Sequence, residues 1–131
     1  MPIFSVQRNG KAKNTIDPAA LAAIVRRLAP TRAVIERVGA RPGQGTASMF
    51  SFGRSVGMIE GVLAALNIPV SYAIPLTWQK AHKVPKGKDG SRLRASELMP
   101  RYAELWRLKK HDGRSDAALI ALYALTHGGA E

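Results

Sequence analysis

The chain contains no cysteine. Its absence excludes disulfides, thiolate metal sites and cysteine nucleophiles, and it is in keeping with a reducing compartment. No apolar run approaches the roughly 18 residues that a membrane span needs. Residues 1–4 also lack a charged segment followed by an apolar one, so we expect no signal peptide. Together these absences predict a cytoplasmic protein with no membrane partner.

Acidic residues are scarce as well. Nine Asp and Glu oppose 20 Lys and Arg, so the formal net charge is +11 and the sequence pI is about 10.8. A field of this sign attracts polyanions, of which nucleic acid is the commonest. A basic surface kept for solubility is the alternative. A membrane-surface role is disfavoured, because the cations do not line one face of an amphipathic helix.

Hydrophobic residues make up 46% of the 131-residue chain, enough for one core, and we predict a single domain over residues 1–131. Apolar runs predict strands at residues 2–8, 33–38 and 69–74. Three- and four-residue spacing predicts a helix after Asp17-Pro18 and further helices at residues 48–66, 92–99 and 115–126. A polar loop is expected at residues 11–15. Strands alternating with helices predict an α/β fold with partly parallel strands, although three strands are few for a sheet.

Two local patterns carry separate expectations. Asp17 precedes Pro18 and an apolar helical repeat, so we interpret it as a helix N-cap and not as a catalytic acid on a strand. Gly53, Gly57 and Gly61 recur every four residues within a predicted helix. Because each glycine costs roughly 1 kcal/mol in a helix interior, their spacing predicts the close approach of another backbone.

Glu36 is the most informative acidic residue. It lies within the apolar strand A-V-I-E-R-V, where a carboxylate is costly unless it is paired or binds a cation. A salt bridge with Arg37 or another base is the structural alternative. Because open α/β sheets bind ligands at the carboxyl ends of their strands, the position of Glu36 near the strand end favours a functional role.

Asp112 and Asp116 are spaced so that they share one helix face, provided that the helix includes Asp112. Two carboxylates held close repel each other, and a hard divalent cation relieves that repulsion. The alternative is that both acids only favour the dipole of a helix N-terminus. Asp112 would then be a simple cap.

Several segments resemble RuvC-like Holliday-junction resolvases of the phage and prophage type. The most specific match runs from V-I-E-R-V at residues 34–38 through G-Q-G-T-A-S-M-F-S-F-G-R at residues 43–54. The blocks I-P-L-T-W-Q-K at residues 74–80 and H-D-G-R-S-D-A-A-L at residues 111–119 complete it. The resemblance covers about residues 2–126.

This resemblance implies an RNase H-like mixed sheet flanked by helices, a homodimer, and Mg²⁺- or Mn²⁺-dependent cleavage of branched DNA. Such a hydrolase, a crossover junction endodeoxyribonuclease, would act in DNA recombination, DNA repair or phage DNA processing. By position, the resemblance implies that Glu36, Asp112 and Asp116 are catalytic and bind the metal. His111 is an alternative ligand to Asp112, and Lys80 would lie near the scissile phosphate.

The second half of the chain is the expected DNA-contacting region. Residues 76–115 carry eleven Lys and Arg against four acids, a surplus that would neutralise phosphates. The loop V-P-K-G-K-D-G is interpreted as a phosphate clamp or as a solvated loop, and Trp78 and Trp106 as base-stacking or core residues. Met49 and Phe50 match a helix start that would support unstacked bases. The residues expected to contact DNA are Arg41, Met49, Phe50, Arg54, Lys80, Lys83, Lys86, Lys88 and Arg92.

The chain departs from the resolvase pattern at its N-terminus. The pattern opens with a strand that carries an aspartate, followed by a second strand, before the equivalent of residues 2–8. We therefore expect either a start codon assigned too late or an N-terminally truncated copy. Two alternatives follow, namely a catalytically inactive RNase H-like DNA-binding module and a capsid- or transposase-associated RNase H-like protein with another DNA substrate.

Overall fold

The computed structural model describes the backbone of residues 3–8 and 11–127, and the side chains of residues 15–127. The chain divides into two compact units. The first comprises Met1–Ala33 and Gly39–Val70, and the second comprises Val34–Val38 and Ser71–Glu131. The expectation of a single domain stays a prediction.

The first unit opens with an antiparallel strand pair. Strand β1 (Ile3–Arg8) pairs with β2 (Lys11–Ile16), and the register runs from Ile3 opposite Ile16 to Arg8 opposite Lys11. The expected polar loop at residues 11–15 is therefore wrong. Strand pairing depends on backbone hydrogen bonds, which polar residues form as well as apolar ones. The Asn9-Gly10 turn signal lies outside the described residues.

Helix α1 (Pro18–Leu28) begins where the sequence predicts. Asp17 has an extended backbone with ψ of 102°, and its Oδ1 accepts a hydrogen bond of 3.0 Å from the backbone N–H of Ala20. Pro18 occupies the first turn, where its missing N–H costs no helical bond. The N-cap interpretation of Asp17 is confirmed.

Helix α2 (Thr46–Ala65) packs against α1 and contacts β2. Leu63 is its buried residue, and Ile16 of β2 is buried in the same unit. The expectation drawn from Gly53, Gly57 and Gly61 is wrong, because these glycines lie on the exposed face of α2. Among the described residues, a Cβ built at any of these glycines would have no atom from outside the helix within 4 Å. Within the described part of the chain, no helix is long and apolar enough to cross a membrane.

The next two strands of the chain, which precede and follow α2, pair with each other in parallel. The backbone N–H of Ala33 donates to Pro69 O at 2.9 Å, and that of Arg37 donates to Ala73 O at 2.8 Å. Equal steps in the same direction on β3 (Ala33–Glu36) and β4 (Val70–Ala73) identify a parallel pair. The described residues thus contain four strands where the sequence predicted three, in two two-stranded sheets. The α/β class is confirmed.

The second unit continues with helices that enclose an apolar core. They are α3 (Pro75–Ala81), α4 (Gly90–Leu98), 3-10 helices at Pro100–Trp106 and Lys109–His111, and α5 (Asp112–Thr126). The core cluster consists of Ala73, Trp78, Ala95, Trp106, Leu119, Ile120 and Tyr123. Both tryptophans are therefore core residues. Helix α5 starts three residues before the prediction, so it includes both Asp112 and Asp116.

Replacing Asp17 with Ala should lower the free energy of unfolding by about 1 kcal/mol, because the backbone N–H of Ala20 loses its acceptor. Thermal and urea unfolding would measure the loss. Asp17→Asn is the matched control, since asparagine caps helices about as well as aspartate. An equal loss in both variants would contradict the capping role.

Candidate functional site

Glu36 is the last residue of β3, and its half-buried carboxylate has a single neutral partner in the hydrogen-bond network. Its Oε1 accepts a hydrogen bond of 3.1 Å from the indole Nε1 of Trp78. Among the described residues, no Lys, Arg or His nitrogen forms an ion pair with this carboxylate. The negative charge therefore remains available to a cation.

Arg37 does not supply the salt bridge that was the structural alternative for Glu36. Its guanidinium carbon lies 5.1 Å from the centroid of the Tyr72 ring, a cation–π geometry. Successive side chains of a strand point to opposite faces, so Arg37 and Glu36 project in opposite directions. Arg37 therefore does not neutralise Glu36, and the functional interpretation of Glu36 stays a prediction.

Asp112 and Asp116 occupy the first two turns of α5. Asp112 is exposed, and its Oδ1 accepts a 2.8 Å hydrogen bond from the backbone N–H of Gly113. Asp116 is half-buried, and burial is the main reason that its pKa is raised above the usual aspartate value. The charge of Asp112 raises the pKa of Asp116 further, whereas a hydrogen bond with the Ser91 side chain opposes the rise. The two acids are thus close enough to repel each other, as the sequence spacing predicted.

His111 stands immediately before these acids in a strongly positive environment. Its pKa is lowered, first by desolvation and then by the charges of Arg114, Lys110, Arg107 and Arg92. Within residues 15–127 the buried Nδ1 of His111 has no hydrogen-bond partner. A neutral imidazole is the form that binds metals, so His111 keeps its place as an alternative ligand to Asp112.

The donor chemistry of the acids fits a hard divalent cation in part. Asp112 and Asp116 offer carboxylate oxygens whose mutual repulsion a cation would relieve, and these are the ligands that Mg²⁺ takes. Within the described side chains, however, no group of three or more His, Asp or Glu converges as a metal-binding cluster. The set of Glu36, Asp112 and Asp116 therefore stays a prediction.

Lys80 is exposed on α3, whereas Trp78 of the same helix is buried. An open hollow of about 520 Å³ is lined by Leu76, Thr77, Lys80 and Ala81. The Lys80 ammonium is thus accessible to a phosphate. Its position near a scissile phosphate stays a prediction.

The basic loop between α3 and α4 presents three exposed lysines, Lys83, Lys86 and Lys88. It closes tightly on the following helix, because a Cβ at Gly90 would lie 1.9 Å from the carbonyl oxygen of Pro85. Gly87, with φ of +108°, adopts a backbone that other residues rarely take. The loop is thus folded against the start of α4, and its lysines project from a defined backbone.

Arg92 differs from these lysines in having a structural role. Its Nη1 donates to the carbonyl oxygens of Arg107, at 2.7 Å, and Trp106, at 3.4 Å, and its Nη2 pairs with Asp89. The side chain is only 15% exposed. Arg92 therefore ties α4 to the end of the 3-10 helix at Pro100–Trp106. A DNA contact for Arg92 stays a prediction.

The remaining predicted DNA-contacting residues belong to the first unit. Arg41 is exposed in the loop before α2, and Arg54 is exposed on α2 itself. Met49 is half-buried near the start of α2, whereas the adjacent Phe50 is 64% exposed. An exposed phenylalanine beside a half-buried methionine provides an apolar surface at this helix start.

Sequence reasoning missed two polar partners of the acidic residues. The hydrogen bonds from Trp78 to Glu36 and between Ser91 and Asp116 join residues that are far apart in sequence. A buried tryptophan needs an acceptor for its N–H, so the presence of Trp78 in the core signalled a partner but not which one. Nothing in the local sequence of Ser91 points to Asp116.

Comparison with known proteins identifies the fold. The chain is similar to Thermus thermophilus RuvC in complex with a Holliday-junction substrate, with a TM-score of 0.64 and 12% identity over 95% of this chain and 87% of that one. A second Thermus thermophilus RuvC structure gives a TM-score of 0.57 and 13% identity over the same shares. The predicted RuvC-like, RNase H-like fold is confirmed. No protein-family profile matches the chain, and no curated protein matches it.

Replacing Asp116 with Asn should raise the thermal unfolding midpoint of the metal-free protein at neutral pH. Because folding raises the pKa of Asp116, ionisation of its carboxyl group costs stability. That cost is absent below the unfolded aspartate pKa of about 3.9 and develops as pH rises through the folded pKa. The advantage of the variant should therefore disappear in acid, as thermal melts over a series of pH values would measure.

Asp89→Asn is the control of opposite sign. A hydrogen bond from Arg92 lowers the pKa of Asp89, so the carboxylate stabilises the fold above its unfolded pKa and loses that effect as pH falls. This variant should lower the midpoint at neutral pH. If Asp116→Asn also lowered the midpoint, that result would contradict the claim that ionised Asp116 destabilises the fold.

Proposed function

We propose that this protein is a metal-dependent endonuclease that cleaves phosphodiester bonds in branched DNA, with the four-way junction as its main substrate. The proposal rests chiefly on the half-buried Glu36, a strand-end carboxylate without a cationic partner among the described residues of a chain whose net charge is +11. A partly buried carboxylate without a cationic side-chain partner is typical of a cation-binding site. The RuvC-like fold supports the choice of reaction, since one RuvC neighbour is bound to a Holliday junction.

Glu36, Asp112 and Asp116 would bind Mg²⁺ or Mn²⁺, with His111 as a further donor. The bound ions would lower the pKa of the attacking water and stabilise the leaving oxygen. The protein's own contribution is positional. Asp116 lies half-buried on α5 beside Ser91, and Glu36 lies at the end of β3, where it accepts a hydrogen bond from Trp78. Lys80 would offset the charge of the phosphate under attack.

DNA would be bound by the exposed cations and the apolar start of α2. Lys83, Lys86 and Lys88 would neutralise phosphates, as would Arg41 and Arg54 in the first unit. The exposed ring of Phe50 would support unstacked bases at a branch point. We extend the proposal to a homodimer, which a four-way substrate with two-fold symmetry would favour, acting in recombination, repair or phage DNA processing. Phage origin and N-terminal truncation stay predictions.

A second candidate function is that of a DNA-binding module without cleavage activity. One observation favours it, namely that the described side chains contain no group of three or more potential ligands gathered around one point. Such a module would bind junctions through the same cations. Cleavage of a labelled four-way junction with Mg²⁺ or Mn²⁺, compared with flaps and linear duplex, would separate the two functions.

Replacing Glu36 with Gln should abolish cleavage and leave junction binding largely intact, because the amide keeps the size of the side chain but loses the charge that attracts the cation. Single-turnover cleavage and gel-shift titration would measure the two effects. Glu104→Gln is the matched control, since Glu104 is an exposed glutamate paired with Arg107 at 3.2 Å. Comparable cleavage by the Glu36→Gln protein would refute the assignment.

Replacing Lys83, Lys86 and Lys88 together with Ala should weaken junction binding and make it less sensitive to salt. Each lost phosphate contact should reduce the slope of log K against log salt concentration by about 0.9. Binding titrations at several salt concentrations would measure the slope. The control is Arg26→Ala with Arg27→Ala, exposed cations at the end of α1. An equal change of slope in the control would contradict a dedicated role for the loop.

A further inference from the structure

The two tryptophans of the chain use their indole N–H groups differently. Both rings belong to the core cluster of the second unit, with Trp78 fully buried and Trp106 3% exposed. Trp106 donates to the hydroxyl oxygen of Ser96 at 3.0 Å, whereas Trp78 donates to the carboxylate oxygen of Glu36 at 3.1 Å. One bond joins two neutral groups, and the other reaches a proposed metal ligand.

The N–H of a core indole needs an acceptor, but that acceptor need not be charged. A buried N–H needs an acceptor, but a hydroxyl or a backbone carbonyl satisfies it without bringing a charge to the edge of the core. Hydrogen bonds to an ionised acceptor are roughly twice as strong as neutral ones. The Trp78 N–H therefore has a stronger acceptor in Glu36 than the Trp106 N–H has in Ser96.

The burial of Trp78 determines how Glu36 is presented. The ring is enclosed by a cluster that includes Leu119 and Tyr123 of α5, so its N–H direction is set by packing. Because this N–H donates to Oε1, the hydrogen bond restrains the orientation of the Glu36 carboxylate. Among the described residues, no hydrogen bond engages Oε2 of Glu36, so this oxygen is left for another ligand.

We propose, building on the proposed nuclease function, that Trp78 is the positioning residue of the metal site. It holds Glu36 in one rotamer and presents Oε2 as the oxygen that binds the ion. Trp78 does not touch DNA or the ion itself. Groups that orient metal ligands by hydrogen bonding typically contribute 10- to 100-fold to metal affinity.

The first test observes the bond directly. The chain has only two tryptophans, so the indole region of a ¹H–¹⁵N spectrum should show two signals, which Trp78→Phe and Trp106→Phe would assign. Glu36→Gln should shift the Trp78 signal and leave that of Trp106 in place. Addition of Mg²⁺ to the wild-type protein should also move only the Trp78 signal. A Trp78 signal that responds to neither change would overturn the proposal.

The second test compares the same two variants in function. Phenylalanine keeps most of the ring volume but lacks the N–H, so both variants lose one side-chain hydrogen bond from the same core. Trp78→Phe should lower Mn²⁺ affinity, measured by calorimetry, by about 10- to 100-fold and reduce kcat with little change in KM for the junction. Trp106→Phe should change stability alone.

Equal losses of Mn²⁺ affinity in the two variants would assign the effect to packing and overturn the proposal, as would a wild-type protein that binds no Mn²⁺. If Trp78→Phe does not fold, an isosteric analogue with sulfur in place of the ring N–H at position 78 provides the same comparison. Failure of the wild-type protein to cleave branched DNA would refute the proposed function. The indole signals and Mn²⁺ affinity would still decide the role of Trp78 independently.

Discussion

The hydrogen bond between the buried Trp78 and Glu36 joins the apolar core of the second unit to its charged edge. A ring that is fully enclosed cannot move without disturbing its neighbours, so whatever its N–H contacts is fixed by packing. Helix α5 adds the same constraint from another direction. It contributes Leu119 and Tyr123 to the core and carries Asp116 one turn before Leu119 and Ile120. The arrangement of the acids thus follows from the way the core is packed.

The acidic residues of the chain differ in whether an arginine neutralises them. In a chain with more than twice as many basic as acidic residues, ion-pair partners are plentiful, and Asp89, Glu97 and Glu104 each have an arginine three residues away. Glu36 and Asp116 instead have neutral hydrogen-bond donors, an indole and a serine hydroxyl. Burial raises the pKa of Asp116, so the ionised form of this acid costs the fold some stability, as is common for groups at functional sites.

Local sequence predicted the elements that local chemistry determines. The N-cap at Asp17, the strand ending near Glu36 and the shared helix face of Asp112 and Asp116 all follow from spacing and side-chain type. Strand β2 was missed because its composition is polar and its pairing with β1 depends on backbone groups that carry no sequence signal. The open glycine face of α2 was misjudged because spacing cannot reveal which side of a helix packs. The partners of Glu36 and Asp116 required tertiary contacts between distant segments.

Arg92 illustrates how a basic residue in a basic segment can serve the fold. Its guanidinium reaches two main-chain carbonyl oxygens, acceptors that exist whatever side chains occupy positions 106 and 107. Selection at this position would therefore act on the geometry of a planar, forked donor, which lysine does not reproduce. An arginine retained here among related sequences would report on how the polypeptide is braced.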